Sequence, residues 1–283
     1  MVAHHHRLPP WLKIRIDHGD NFFEVKRVNS RLELNTVCKS ARCPNIWECW
    51  NRKRATFMIL GNICTRACRF CAVKKGQPTK VDMKEPERIA DAVKTLGLRH
   101  VVITSVTRDD LEDGGAGIFV DTISIIREKS PLSTIEVLIP DFNGSEKGLG
   151  MVIKASPHII GHNIETVPRL YHEIRPQGVY KRSIKVLKMA NDLGRVTKSG
   201  LMVGLGEDIN EVIDVMFDLK EIGCDILTVG QYLMPERRNA PVIRFYTPEE
   251  FTMIRLKGNE MGFGHIEAGP LVRSSYYADV YYP

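Results

Sequence analysis

Six of the seven cysteines crowd between Cys38 and Cys71, and they fall into two trios. The second trio reads Gly61-Asn-Ile-Cys64-Thr-Arg-Ala-Cys68-Arg-Phe-Cys71, with spacing C-x3-C-x2-C. Thiolates packed so closely suit a soft, polynuclear metal centre. An iron–sulfur cluster ordinarily takes four cysteines. Three leave one iron open to a small molecule, much as catalytic zinc sites keep one position free. Arg66 and Arg69 stand inside the trio, where their charge is expected to offset that of a thiolate-bound cluster. A zinc knuckle completed by a distant histidine is the competing reading.

The first trio, Cys38, Cys43 and Cys49, has spacing C-x4-C-x5-C and is also one ligand short. Cys224 is the remaining cysteine. It sits in Ile222-Gly-Cys-Asp-Ile226, just ahead of a predicted strand, and reads as a small buried apolar side chain. An odd, clustered set without a basic-then-apolar opening segment points to metal ligation rather than an exported disulfide scaffold. His4, His5 and His6 read as a frayed end, not a metal site.

Strand-like and helix-like runs that could position these cysteines alternate from Ala55 onward. Strands are predicted at 55–60, 100–105, 134–139, 158–165, 197–203 and 225–229, and helices at 85–96, 116–129, 147–155, 180–193, 209–222 and 248–261. A further helix is predicted within 21–37. Six βα units imply a parallel sheet in an α/β fold, either a closed or partly closed barrel or a doubly wound sheet. Both put the site at the C-terminal ends of the strands. Asn163 and Glu165 fall there, and a spacing of two places them on one side of a strand. They suit hydrogen bonds to a ribose or an amino group. Gly200 opens a glycine-rich strand end, and Gln231 ends the next strand. Arg175 and Lys198 could meet carboxylate or carbonyl groups. Arg52-Lys53-Arg54 is solvated charge or a dock for an acidic protein.

Composition bounds the rest. The chain has 283 residues, 43% hydrophobic and 26% charged, as a globular protein should. A net charge of +6 is too weak and scattered for nucleic acid. No apolar run approaches the roughly 18 residues of a membrane span. The expectation is a cytoplasmic protein with no nucleic-acid or membrane partner.

The Cys64–Cys71 motif, directly after the strand that opens an α/β series, resembles the signature of the radical S-adenosylmethionine superfamily. That resemblance implies a [4Fe-4S] cluster on Cys64, Cys68 and Cys71, with S-adenosylmethionine on the fourth iron and cleaved to a 5′-deoxyadenosyl radical. Phe70 matches the aromatic position whose backbone lies against adenine. Gly200 matches the adenine-contacting strand, and Asn163, Glu165 and Gln231 are the other expected contacts.

Two trios in this order narrow the resemblance to the lipoyl synthase family. So do Arg42-Cys-Pro-Asn-Ile46, Ile135-Glu-Val-Leu-Ile-Pro-Asp-Phe142, His162-Asn-Ile-Glu-Thr-Val167 and Gly269-Pro-Leu-Val-Arg-Ser-Ser-Tyr276. Family membership implies a partial (β/α)6 TIM-like barrel over 55–262. An N-terminal extension, 1–54, would carry an auxiliary [4Fe-4S] cluster on Cys38, Cys43 and Cys49. A C-terminal extension, 263–283, would supply Ser275 as its fourth ligand, with Arg273 nearby to anchor the partner. The implied reaction inserts two sulfur atoms at C6 and C8 of a protein-bound octanoyl chain, with the auxiliary cluster as sulfur donor. The implied partners are an octanoylated lipoyl carrier domain or H protein, an electron donor such as ferredoxin or flavodoxin, and an iron–sulfur carrier that rebuilds the cluster. Departures from the family pattern are Ile160-Gly161 before His162, Trp47, and Tyr277 after the serine motif.

Overall fold

The computed structural model describes residues 8–14, 19–276 and 278. His4, His5, His6 and Tyr277 lie outside them. Three helices precede the barrel: α1 (Asp20–Arg31), α2 (Val37–Ser40) and α3 (Ile46–Asn51). The single helix expected over 21–37 is therefore broken. The chain turns at Glu33, which takes a φ of +51°, and Leu34 N–H donates to the Asn29 carbonyl at 2.9 Å. That turn frees Asn35 and Thr36 to meet the first strand.

The strands are β1 (Thr56–Ile59), β2 (Ile63–Cys64), β3 (Lys74–Lys75), β4 (His100–Ser105), β5 (Thr134–Leu138), β6 (Ile159–Gly161), β7 (Val196–Val203), β8 (Ile226–Gln231) and β9 (His265–Gly269). Between and after them lie α4 (Glu85–Leu96), α5 (Ala116–Lys129), α6 (Glu146–Lys154), α7 (Tyr171–Ile174), α8 (Tyr180–Asp192), α9 (Ile209–Glu221) and α10 (Pro248–Glu260). Local chemistry sets their ends. Pro86 and two glutamates occupy the first turn of α4, and Gly97, at φ +63°, stops it. Capping boxes of Asp208 with Glu211 and Thr247 with Glu250 start α9 and α10.

Seven strands form one sheet in the order β1-β4-β5-β6-β7-β8-β9, every pair parallel. Strand order follows chain order with no reversal, which excludes the doubly wound alternative. The fold is the arc of a partial TIM-like barrel, open between β1 and β9. β9 lies within the stretch expected to be a C-terminal extension, so the sheet gains a strand beyond the six βα units. Only Ile266 in β9 is buried, between His265 and Glu267, too faint a pattern to read as a strand.

The free edge of β1 is covered by the N-terminal segment. Thr36 forms an antiparallel bridge to Phe57, and Met58 N–H donates to the Asn35 carbonyl at 2.9 Å. This leaves no exposed strand edge there to recruit another chain. Among the described residues no helix is long and apolar enough to cross a membrane.

Candidate active site at the strand ends

A cavity of about 530 Å³ opens at the C-terminal ends of the strands, lined from β1, β4, β5, β7 and β8. The Cys64–Cys71 turn forms one wall. β2 pairs with β3, so the chain leaves at Cys64, loops outward and returns at Lys74. Within the loop, Cys71 N–H donates to the Cys68 carbonyl at 3.3 Å, and Arg69 N–H to Ile174 at 2.8 Å. The Cys64 sulfur accepts from the backbone N–H of Arg66 at 3.4 Å and of Thr107 at 3.3 Å. All three thiols line the cavity. Burial, with Cys68, Cys64 and Glu165 nearby, pushes the Cys71 thiol up to about 12, and burial raises Cys68.

The two arginines of this turn also have carboxylate partners that their position did not announce. Buried Arg66 holds Asp109 at 2.7 Å and Asp141 at 2.6 Å. Arg69 pairs with Glu173 at 2.6 Å. Their charge is balanced by carboxylates, and Arg66 serves as the pin that fixes the loop to the ends of β4 and β5. Arg175 is the cation that lowers Cys68 most against the effect of burial, and Arg66 adds a smaller lowering.

Asn163 and Glu165 both line the cavity, and Asn163 Nδ2 donates to Glu165 Oε1 at 3.2 Å. They meet for a different reason than strand pleating. β6 ends at Gly161, and Glu165 takes a φ of +70° while bridging to Leu201. Burial raises the Glu165 carboxyl above its ordinary range. Gly200 is required where it stands, because a Cβ there would lie 2.7 Å from Asn163 Oδ1. That oxygen is buried without a partner, as is Nε of Arg175. Phe70 lines the cavity and packs on the second half of the core.

Gln231 also lines the cavity, but its amide is spent on the protein. It donates to the carbonyls of Tyr232 and Arg244 at 3.1 and 3.0 Å and accepts from Tyr246 N–H at 2.8 Å. Lys198 is 2% exposed inside the barrel and bonds Glu136 at 2.9 and 3.1 Å. Its carboxylate is therefore an internal one. Cys224 is fully buried, with its sulfur against the Ile226 carbonyl at 3.5 Å.

The first trio borders the same cavity as the second. Cys38, Cys43 and Cys49 surround a smaller pocket of about 40 Å³ together with Arg273, Ser275 and Tyr276. Cys38, Cys43, Arg273 and Ser275 line the large cavity as well. The C-terminal segment reaches this place by crossing β8 at Gly230, where a Cβ would lie 2.0 Å from the Val272 carbonyl oxygen. Asn45 Nδ2 then holds the Leu271 carbonyl at 2.6 Å, and Thr56 Oγ1 donates to Ser275 Oγ at 2.9 Å. Tyr276 closes the contact with a hydroxyl bond to Glu48 at 3.1 Å. None of these supports was evident in the sequence. Asn45 does fall inside the Arg42–Ile46 motif that carries the family resemblance. Burial raises all three thiols of this trio and pushes Cys38 up to about 11. The adjacent basic run is partly neutralised, since Arg52 pairs with Glu48 at 3.6 Å and Lys53 with Glu24 at 2.7 Å.

The donor sets, three thiols beside one cavity in each case, suit iron–sulfur clusters. A four-iron cluster spreads its ligands over separate iron atoms. The unpartnered Asn163 oxygen and Arg175 nitrogen face the need of a polar cosubstrate beside the second trio.

Fold and thiol loop together define a radical S-adenosylmethionine enzyme, and residues 58–219 match the Radical SAM superfamily. Among solved structures the chain resembles SuiB of Streptococcus suis bound to S-adenosylmethionine, with a TM-score of 0.62, 14% identity and coverage of 88% of this chain and 61% of that one. It also resembles methylornithine synthase, PylB, with a TM-score of 0.54, 14% identity and coverage of 91% and 89%. Those likenesses concern the fold alone. Residues 2–43 match the N-terminal domain of lipoyl synthase of the Radical SAM family. The lipoyl synthase of Rubrobacter xylanophilus is 56% identical over 96% of this chain and 86% of its own length. That of Caldanaerobacter subterraneus is 53% identical over 97% and 96%. The chain belongs to the lipoyl synthase family. It is a radical S-adenosylmethionine sulfurtransferase whose cofactors are two [4Fe-4S] clusters, with S-adenosylmethionine as cosubstrate.

Proposed function

We propose that Cys64, Cys68 and Cys71 hold the radical-generating cluster, and that Cys38, Cys43, Cys49 and Ser275 hold the auxiliary one, both bordering one reaction chamber. The observation that carries this reading is that Ser275 joins Cys38 and Cys43 on the same cavity as the second trio. When bound, the clusters and S-adenosylmethionine supply a hydrogen-abstracting radical and sulfur, chemistry that no side-chain acid or base offers at an unactivated carbon.

The chain's own residues bind, orient and keep the site dry. Asn163, Glu165 and the free Arg175 nitrogen offer acceptors and a donor for the amino, ribose and carboxylate groups of S-adenosylmethionine. Gly200 leaves room for Asn163, and the Phe70 backbone flanks the adenine. Gln231 shapes this wall by anchoring the segment after β8. Met58, Val106, Leu138 and Met202 give the cavity the apolar lining that an octanoyl tail needs and that excludes water. Thr56 orients the Ser275 hydroxyl. Serine oxygen is a harder ligand than thiolate and a poorer match for this iron, which suits a cluster that must be opened for its sulfur. Arg273, beside Ser275, anchors the backbone of the incoming partner.

The substrate is an octanoyl chain on a lipoyl carrier domain or H protein, modified at C6 and C8. Ferredoxin or flavodoxin as electron donor, an iron–sulfur carrier for rebuilding, and a cytoplasmic location complete the proposal. The division of labour keeps the expected segments 1–54 for the auxiliary trio and 263–283 for Ser275, with the barrel over 55–262 completed by β9 from the last segment.

Anaerobic reconstitution followed by iron counting tests the ligand sets, with about eight irons per chain expected. Mass spectrometry of an octanoylated carrier peptide after turnover should show the gain of two sulfurs. A Ser275→Ala variant should still release 5′-deoxyadenosine but transfer no sulfur. Full sulfur transfer by that variant would remove Ser275 from the reading. A two-cluster electron carrier, the rival function, would release no 5′-deoxyadenosine.

A further inference from the structure

The segment from Tyr232 to Thr247 has no helix or strand, yet it is fastened at several points. Gln231 holds it at Tyr232, Arg244 and Tyr246. The Tyr232 hydroxyl donates to the Ala240 carbonyl at 2.8 Å. At its middle lies Asn239, only 5% exposed. The Asn239 amide nitrogen donates to two carbonyls of the second trio's turn, Arg69 and Cys71, each at 3.0 Å. The neighbouring Ala240 N–H donates to the same Arg69 carbonyl at 2.9 Å. The reverse amide orientation would set an oxygen against two carbonyl oxygens, so the donor role is fixed by chemistry. Asn239 lies outside every cysteine motif and is 168 positions from Cys71.

We propose that Asn239 is a positioning residue for the radical-site cluster: its amide sets the turn between Cys68 and Cys71, and thereby the seat of the iron. The inference rests on the assignment of that cluster to Cys64, Cys68 and Cys71. Two hydrogen bonds from one rigid amide fix the two carbonyls that flank Phe70 and the last thiol. The same segment meets the first trio's side through Arg42, which bonds the Pro235 carbonyl at 3.4 Å and Glu236 at 2.8 Å and whose side chain is 61% exposed. An exposed pair of that kind constrains little. Loss of the Asn239 donor should therefore act on one cluster and spare the other.

The test uses Asn239→Asp, which keeps the shape but removes both donors, and Asn239→Ala. Each is placed in two backgrounds that carry one cluster apiece. The first combines Cys38→Ala, Cys43→Ala and Cys49→Ala. The second combines Cys64→Ala, Cys68→Ala and Cys71→Ala. Iron release to a chelator is timed, and low-temperature electron paramagnetic resonance is recorded on the reduced protein with and without S-adenosylmethionine. Two lost hydrogen bonds correspond to about a tenfold faster release from the radical site, with an altered signal there. The auxiliary site should be unchanged. Equal acceleration at both sites, or none at either, overturns the proposal. Hydrogen exchange on the apoprotein gives a readout without iron: amides of 68–73 should exchange faster in both variants, while those of 37–50 should not. A wild-type chain that never takes up about eight irons would sink the cluster assignment itself, and would leave the exchange result standing.

Discussion

Gly230 offers the sharpest test of how the auxiliary site is built. Replacing it with alanine adds one methyl group to β8. That carbon would lie 2.0 Å from the Val272 carbonyl oxygen, against the 3.4 Å of ordinary contact. The obstacle is backbone on both sides, so no side chain can swing away to relieve it. The C-terminal segment must retreat by about 1.4 Å, the difference between those distances. Its next residues are Arg273, Ser274 and Ser275. The global cost of such overpacking is about 1–3 kcal/mol, which the chain should survive folded. The cost at the site shows directly in the rate, because a displacement of about 1 Å at reacting groups can reduce it by about a hundredfold. Gly230→Ala should therefore keep its radical-site cluster and its release of 5′-deoxyadenosine. Sulfur insertion into an octanoylated carrier peptide, followed by mass spectrometry, should drop by about a hundredfold. Gly150→Ala serves as the control, since a Cβ there meets nothing within 4 Å. Wild-type sulfur insertion by Gly230→Ala would refute the claim that the close crossing at β8 positions Ser275.

Other outcomes follow from the same structure. Lys198→Met should destabilise the chain by about 3–5 kcal/mol in urea unfolding, because it takes the lysine partner from buried Glu136 and leaves it His100 at 3.4 Å, and a second change, Glu136→Gln, should recover part of it. A weaker S-adenosylmethionine affinity without loss of stability would contradict the internal-pair role. Cys224→Ala should retain about eight irons and lose only about 1 kcal/mol, measured by iron assay and chemical unfolding. Cluster assembly should quicken as pH rises from about 7 to 9. Burial holds Cys38 near about 11 and Cys71 near about 12, so both are protonated in the apoprotein and must lose a proton to bind iron. A flat pH profile of iron uptake would speak against this.

Much of the site was legible because its chemistry is local. Cys64, Cys68 and Cys71 sit within one turn, and the alternation of apolar runs with capped helices was enough to lay out six of the seven main strands. What escaped was set by tertiary partners. Arg66 also pins the loop, which its own segment could not show, because Asp109 and Asp141 come to it from other strand ends. Lys198 looked like a ligand donor because nothing in its own segment announced Glu136. Asn163 and Glu165 converge through a left-handed residue, a conformation that spacing arguments do not foresee. Asn239 carried no signal, since its role depends on a carbonyl 170 positions away.

The two proposed clusters draw on the chain in unlike ways. The second trio is contained in a single short loop, whereas the auxiliary site joins Thr56 to Ser275 across 219 positions. On a ribosome the three thiols of the radical-generating loop emerge together and wait for Asn239 to fix their turn, but the sulfur-donating centre must wait longer still, for Ser275. On the proposed assignment, a chain interrupted before Ser275 would keep the thiols of the radical site and lack the serine of the sulfur-donating one.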